Sequence, residues 1–305
     1  MSIFDKFQQL AAIRQELAES CDTFFNVVME EILSGTEAVV NGRPTILAGS
    51  NNYLGLSFDP DCVDAACKAA RKEGTGTTGS RMANGTFSGH VALEQELADF
   101  FNRQGAIVFS TGYVAILAML STLVVPGEII LLDGDCHASI YDGCRMAAAE
   151  VHRFRHNDAQ DLEKRLRRLE KRNTNILVVV EGLYSMLGDR APLADIVSVK
   201  NKYGAYLLVD EAHSLGVLGA NGRGLAEETE VEDGVDFVVG TFSKSLGAIG
   251  GFCVSNHPEL DLVRYASRPY VFTASSSPSV IASTRMALKI LRKRPELRRR
   301  LWDNA

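Results

Sequence analysis

The runs NILVVVEG (Asn175–Gly182) and AYLLVDEA (Ala205–Ala212) are apolar almost throughout and end on acidic side chains. A strand with one wet face alternates apolar and polar residues. A run with no alternation is the pattern of a strand covered on both faces. Five further runs read as strands: AIVFS (Ala106–Ser110), EIILLD (Glu128–Asp133), VHRFR (Val151–Arg155), DFVVGTF (Asp236–Phe242) and GGFCVS (Gly250–Ser255). Between them lie stretches of helical period, among them HVALEQELADFF (His90–Phe101) and DAQDLEKRLRRLEKR (Asp158–Arg172). This alternation predicts an α/β chain with a mostly parallel seven-stranded sheet flanked by helices. GGFCVS follows DFVVGTF too closely for a helical crossover, so one antiparallel strand is expected there. Upstream, residues 1–34 carry apolar residues at helical spacing, and AVVNGRPTILAG (Ala38–Gly49) reads as a hairpin turning at Asn41–Gly42.

The 305 residues suffice for one large domain plus a smaller attachment. Hydrophobic residues at 46% and charged residues at 23% exclude disordered and collagen-like classes. The net charge of −6 argues against a nucleic-acid partner. The one basic run, RKRPELRRR (Arg292–Arg300), reads as a solvated helix face. Cys21, Cys62, Cys67, Cys136, Cys144 and Cys253 form no CxxC pair, and no His/Cys cluster has zinc spacing, so no metal site is expected. Without a signal-peptide pattern, reduced thiols in a cytoplasm are the expectation. The longest apolar stretch, ILAMLSTLVV (Ile116–Val125), is too short to span a bilayer. The amphipathic N-terminus is expected to rest on the protein itself, with peripheral membrane contact or a partner as alternatives.

In open α/β sheets ligands bind beyond the carboxyl ends of the strands. Five strand ends therefore matter: Ser110-Thr111-Gly112, Asp133, Glu181-Gly182, Asp210-Glu211-Ala212-His213 and Thr241-Phe242-Ser243-Lys244. Lys244 leaves a buried run among Thr241, Ser243 and Ser245. An uncharged amine there could form a Schiff base with a carbonyl cofactor, and the hydroxyls could donate to a phosphate; a lysine reaching solvent is the rival. Asp210 could pair with the protonated ring nitrogen that pyridoxal phosphate requires. The rival, an Asp–His metal or hydrolase pair, lacks a third ligand and a GxSxG elbow. Gly112 and Tyr113 open a helix whose free N–H groups suit a phosphate. His137 could stack on a flat ring, or merely cap a helix. The Gly-rich stretch GTGTTGSRMANGT (Gly74–Thr86) follows no apolar strand and lacks GxGxxG spacing, so it reads as a flexible loop lining a site.

Over nearly its whole length the chain resembles the α-oxoamine synthases, pyridoxal-phosphate enzymes of the aspartate-aminotransferase fold. The resemblance rests on NNYLGL (Asn51–Leu56), DGDCHASIYDGC (Asp133–Cys144), EGLYSMLGD (Glu181–Asp189), VDEAHSLGVLGANGRG (Val209–Gly224) and GTFSKSLGAIGGFCVSNHP (Gly240–Pro258). The Gly-rich loop and RPYVFTAS (Arg268–Ser275) favour the serine palmitoyltransferase branch. The resemblance implies an acyltransferase that condenses L-serine with a long-chain acyl-CoA, losing CO2. Lys244 would carry pyridoxal 5'-phosphate, Asp210 would pair with its ring nitrogen, and His137 would stack on it. His213 would lie near the ring oxygen and the substrate carboxylate. Gly112, Tyr113, Thr241 and Ser243 would hold the phosphate side, with Ser185 near the ring and Asn52 near the incoming amino acid. Thr273 would reach the phosphate of the neighbouring subunit in a homodimer. The implied organisation is an N-terminal segment (1–50), a cofactor-binding large domain (51–265) and the start of a truncated small domain (266–305). A carboxylate-binding arginine is expected beyond Ala305. A sister synthase making aminooxononanoate or aminoketobutyrate, an impaired fragment and a noncatalytic partner subunit are the alternatives.

Overall fold

Six short segments with almost no polar residues, and a mixed seventh, VHRFR, need neighbours for their faces and backbone edges, and a central sheet provides them. The computed structural model describes residues 2–20 and 27–305. Met1 and residues 21–26, including Cys21 and part of the expected N-terminal helix, lie outside the described residues. The chain divides into two units, Met1–Ser50 and Asn51–Ala305.

The first unit holds α1 (Gln8–Ser20) and a three-stranded antiparallel sheet of β1 (Glu31–Ile32), β2 (Glu37–Val40) and β3 (Arg43–Ile46). The expected hairpin is present. It turns at Asn41 (φ +50°) and Gly42 (φ +68°), the left-handed pair that matches strand twist. The helix expected over residues 1–34 is corrected at its far end. Glu31 and Ile32 pair with Val39 and Ala38 instead. A short apolar run suits either period, and here a neighbouring strand claims its backbone.

The second unit carries β4 (Gly105–Phe109), β5 (Ile129–Asp133), β6 (Glu150–Phe154), β7 (Ile176–Glu181), β8 (Tyr206–Asp210), β9 (Phe237–Thr241) and β10 (Gly251–Ser255). Their spatial order is β4-β10-β9-β8-β7-β5-β6. β10 runs antiparallel to both neighbours, and the pairs among β5 to β9 are parallel. The carboxyl ends of β4 to β9 and the start of β10 therefore share one edge of the sheet. Every residue of β5, β7 and β9 is buried, whereas the edge strand β6 alternates, as its mixed run VHRFR requires.

The helices are α2 (Pro60–Glu73), α3 (Ser88–Phe101), α4 (Gly112–Leu123), α5 (Ala138–Ala147), α6 (Ala159–Leu169) and α7 (Leu193–Lys202), the short α8 (Leu225–Glu228), α9 (Val263–Ala266) and α10 (Arg268–Val271), then α11 (Pro278–Lys293) and α12 (Pro295–Asn304). In α6, Leu162, Leu166 and Leu169 fall on one buried face at helical spacing, and the Asp158 carboxylate caps the first turn through Asp161 N–H. The basic run is more than a solvated face. Arg292 donates to Glu96 O (3.1 Å) and covers the Phe100 ring, Arg294 pairs with Asp59 (2.8 Å), and Arg298 donates to Ala220 O. These bonds tie α11 and α12 to the body. Among the described residues no helix is long and apolar enough to cross a membrane, and the five described cysteines are unpaired.

Candidate active site

The strand ends at the carboxyl edge converge on one cavity of about 320 Å³. Its wall includes Gly112, Tyr113, His137, Glu181, Asp210, His213, Thr241, Ser243 and Lys244. Nine residues from five segments of chain thus meet because the parallel topology delivers all their strands to one side.

One end is built to hold an anion. α4 starts at Gly112, and Thr111 caps it by accepting Val114 N–H at 3.0 Å. The N–H groups of the first turn have no intrahelical partner and carry the positive end of the helix dipole. A Cβ on Gly112 would lie 2.8 Å from Thr241 Cβ, so a side chain would push the helix start off the strand end. The Thr241 and Ser243 hydroxyls, 2.8 Å apart, face the same end.

The other end is acidic. Asp210 closes β8 and Glu181 closes β7, as register partners on adjacent strands. Asp210 accepts Ala212 N–H at 2.9 Å, and among the described residues no ion pair reaches it. Burial pushes its carboxyl up from the ordinary value. Glu181 is raised to about 8 by burial and by the Asp210 charge, although it accepts N–H groups from His137 (2.5 Å) and Ser185. Lys244 stands between the two ends. Burial lowers its ammonium's pKa against the pull of Asp210 and Glu181, which favours the free amine.

His137 caps α5, with Nδ1 accepting Ser139 N–H at 3.2 Å, and it also lines the cavity; the capping and the site readings hold together. His213 is pushed down to about 4 by burial and by the Lys244 and His137 charges, so its ring is neutral. Tyr53 OH lies 2.8 Å from His213 Nδ1, and burial keeps that phenol protonated. The phenol then donates to Nδ1 and leaves the ring proton on Nε2.

Three expected residues stand off the wall. Asn52 bonds Ser57, donating to its Oγ at 2.7 Å. Ser185 reaches Glu181 through its backbone N–H, with an exposed side chain. Thr273 lines a separate narrow cleft with Arg81 and Tyr270. The Gly-rich loop also departs from expectation. Arg81 pairs with Glu94 (3.0 Å), Thr77 Oγ1 meets Ser275 Oγ (2.8 Å), and Thr86 Oγ1 donates to Arg81 O, so the loop is pinned and borders that second cleft. Sequence reasoning marked Glu181 as a strand end to watch but gave it no role, and it gave Tyr53 none. An acid ending a strand beside Asp210 was a usable signal for Glu181. Nothing local marks Tyr53, whose partner is distant in the chain.

The arrangement can bind a phosphate at one end and a flat ring with a cationic nitrogen at the other, with an amine nucleophile between. The aminotransferase class I and II family matches residues 43–305. A serine palmitoyltransferase of Caulobacter vibrioides is 58% identical over 305 residues, covering 100% of this chain and 76% of the relative. A solved serine palmitoyltransferase from S. paucimobilis, with a bound PLP–myriocin aldimine, superposes with a TM-score of 0.97 at 54% identity, covering 100% of this chain and 76% of that one. A high-resolution serine palmitoyltransferase structure with its PLP internal aldimine gives the same score and identity, with 77% of that chain covered.

Proposed function

The chain belongs to the class I and II aminotransferase family and, within it, to the serine palmitoyltransferase group; from that premise we propose that it condenses L-serine with palmitoyl-CoA. The products are 3-ketodihydrosphingosine, CO2 and CoA, and pyridoxal 5'-phosphate occupies the cavity around Lys244. One observation carries the assignment: a buried carboxylate with no ion pair among the described residues, a lysine whose burial favours the free amine, and a helix N-terminus crowded against strand-end hydroxyls share one cavity. The residues fit the cofactor. A protonated ring nitrogen supplies the counter-charge that the burial of Asp210 demands. The absent side chain at Gly112 leaves the first-turn N–H groups open to a phosphate.

When bound, the cofactor supplies an electron sink for charge developing at the serine Cα. Lys244 would hold it through Nζ and, once the serine amino group had taken that place and released Nζ as a free amine, would accept the proton from serine Cα. Asp210 keeps the ring nitrogen protonated by a charge-assisted bond. His137 covers one face of the ring, held in place by Glu181 and Ser139. Neutral His213, with its proton on Nε2, donates to the substrate carboxylate or the ring oxygen. The N–H groups of Gly112 and Tyr113 and the hydroxyls of Thr241 and Ser243 hold the phosphate. Ser185 lies beside the ring, and Asn52 meets the incoming serine. Thr273 serves the phosphate of the neighbouring subunit in a homodimer, which its position on a separate cleft supports. The test is formation of 3-ketodihydrosphingosine from L-serine and palmitoyl-CoA, lost in Lys244→Ala. A higher kcat/KM with another small amino acid would assign the chain to a sister synthase.

A further inference from the structure

A histidine that lines no part of the cavity bridges the ends of three strands. His156 follows the edge strand β6. Its Nδ1 lies 2.8 Å from Oδ1 of Asp133, the fully buried last residue of β5, and its Nε2 lies 2.9 Å from Oδ2 of Asp189, in the loop after β7. Carboxylates only accept, and a neutral imidazole has one N–H, so two such contacts call for a ring protonated on both nitrogens. The surroundings point the same way. Asp135 lies 3.7 Å from Nδ1, the Tyr184 ring packs perpendicular to the imidazole with centroids 4.5 Å apart, and among the described residues Asp189 Oδ1 is a buried acceptor without a partner. Burial opposes the charge, yet the bonds to Asp133 and Asp189 raise the pKa of His156 above its ordinary value.

We propose that His156 is a positioning residue: held as an imidazolium between Asp133 and Asp189, it locks together the two loops that carry His137 and Ser185 to the cavity. Asp133 stands four residues before His137 and also accepts the N–H groups of Asp135 (2.9 Å) and Asn157 (2.8 Å). On the other side, the turn from Tyr184 to Asp189 holds Ser185 and is closed by Tyr184 N–H to Asp189 O at 2.9 Å. The two loops meet again at Glu181, which accepts the N–H groups of both His137 and Ser185. His156 and Glu181 thus close a ring of bonds around the strand ends. Asn157 spans the same gap with neutral bonds, its N–H on Asp133 and its Nδ2 on Asp189 (3.0 Å), so breaking the His156 link removes the charged half of the clamp and loosens both loops. The importance of His137 and Ser185 rests on the proposed function; the clamp itself does not.

The test uses the full chain with 15N-labelled histidine, before and after addition of pyridoxal phosphate. Wild type should show both ring nitrogens of His156 protonated at pH 7.5. Asp189→Ala should shift the ring signals of His137, with which it has no contact, and should weaken pyridoxal phosphate binding about tenfold, the low end for a lost charge-assisted bond. His156→Gln should do the same; if it does not fold, Asp189→Ala carries the test, because the Asp189 side chain is half-exposed, with Asn157→Ala, which removes only the second bond to Asp189, expected to have a smaller effect. Unmoved His137 signals with unchanged affinity in Asp189→Ala would overturn the proposal. So would a singly protonated His156, or loss of its Nδ1 proton on adding Zn²⁺, which would assign Asp133, Asp135 and His156 to a metal. If wild type itself fails to bind pyridoxal phosphate, the proposed function falls while the His137 signals still judge the clamp.

Discussion

Replacing Asp210 with Asn separates what the fold wants from what the chemistry wants. The substitution keeps the side-chain shape and the oxygen that accepts Ala212 N–H, so the loop after β8 should hold. What it removes is a charge in a site that is 7% exposed. Because burial raises the folded carboxyl above its unfolded value, the native state binds more protons than the unfolded one. Stability therefore falls as pH rises upward from the ordinary carboxylate range. Asn carries no such penalty. The cofactor-free variant should melt higher than wild type near pH 8, by about 2–4 °C per kcal/mol of relieved penalty. Cofactor binding should move the opposite way. A bond to a charged group contributes about 1.5–3 kcal/mol, so losing it weakens pyridoxal phosphate affinity by about 10- to 150-fold. The assays are thermal melts without cofactor and a titration followed by visible absorbance. A lower melting temperature together with wild-type affinity would refute the reasoning, because Asp210 would then be a structural group.

Two further outcomes follow from the same cavity. Glu181, raised to about 8, costs stability as pH climbs from the ordinary glutamate range through that value; Glu181→Gln should flatten the melting temperature between pH 6 and 9, and an unchanged slope would count against it. Gly112→Ala places a Cβ 2.8 Å from Thr241 Cβ and should cost about 1–3 kcal/mol of stability. It should also weaken cofactor binding as α4 is pushed off the phosphate position, which melts and the same titration would register.

The sheet was legible because burial on both faces writes itself into composition. IILLD, ILVVVE and FVVGT have nothing to show water, and the polar residue that ends each run marks the ligand edge. The antiparallel β10 was legible from chain length alone, since about ten residues cannot build a crossover. Lys244, Asp210 and His137 stood at strand ends where the topology sends ligands. Other features were illegible because they are tertiary. Val27 to Leu33 suits a helix or a strand until β2 offers a partner. Arg294 looks solvated until Asp59 approaches from α2. Tyr53 and His156 gain their meaning from His213, Asp133 and Asp189, which no local pattern brings near. The Gly-rich loop looks flexible by composition, yet Arg81 and Thr77 pin it through partners far along the chain.

The central claim is that Lys244 carries the cofactor. The direct measurement is borohydride reduction of the protein with pyridoxal phosphate, followed by protease digestion and peptide mass mapping. The pyridoxyl group should appear on Lys244, in the peptide containing Thr241-Phe242-Ser243-Lys244-Ser245, and should be absent from that peptide in Lys244→Ala. A stoichiometric label on another lysine, such as Lys202, or no label at all, would contradict the account.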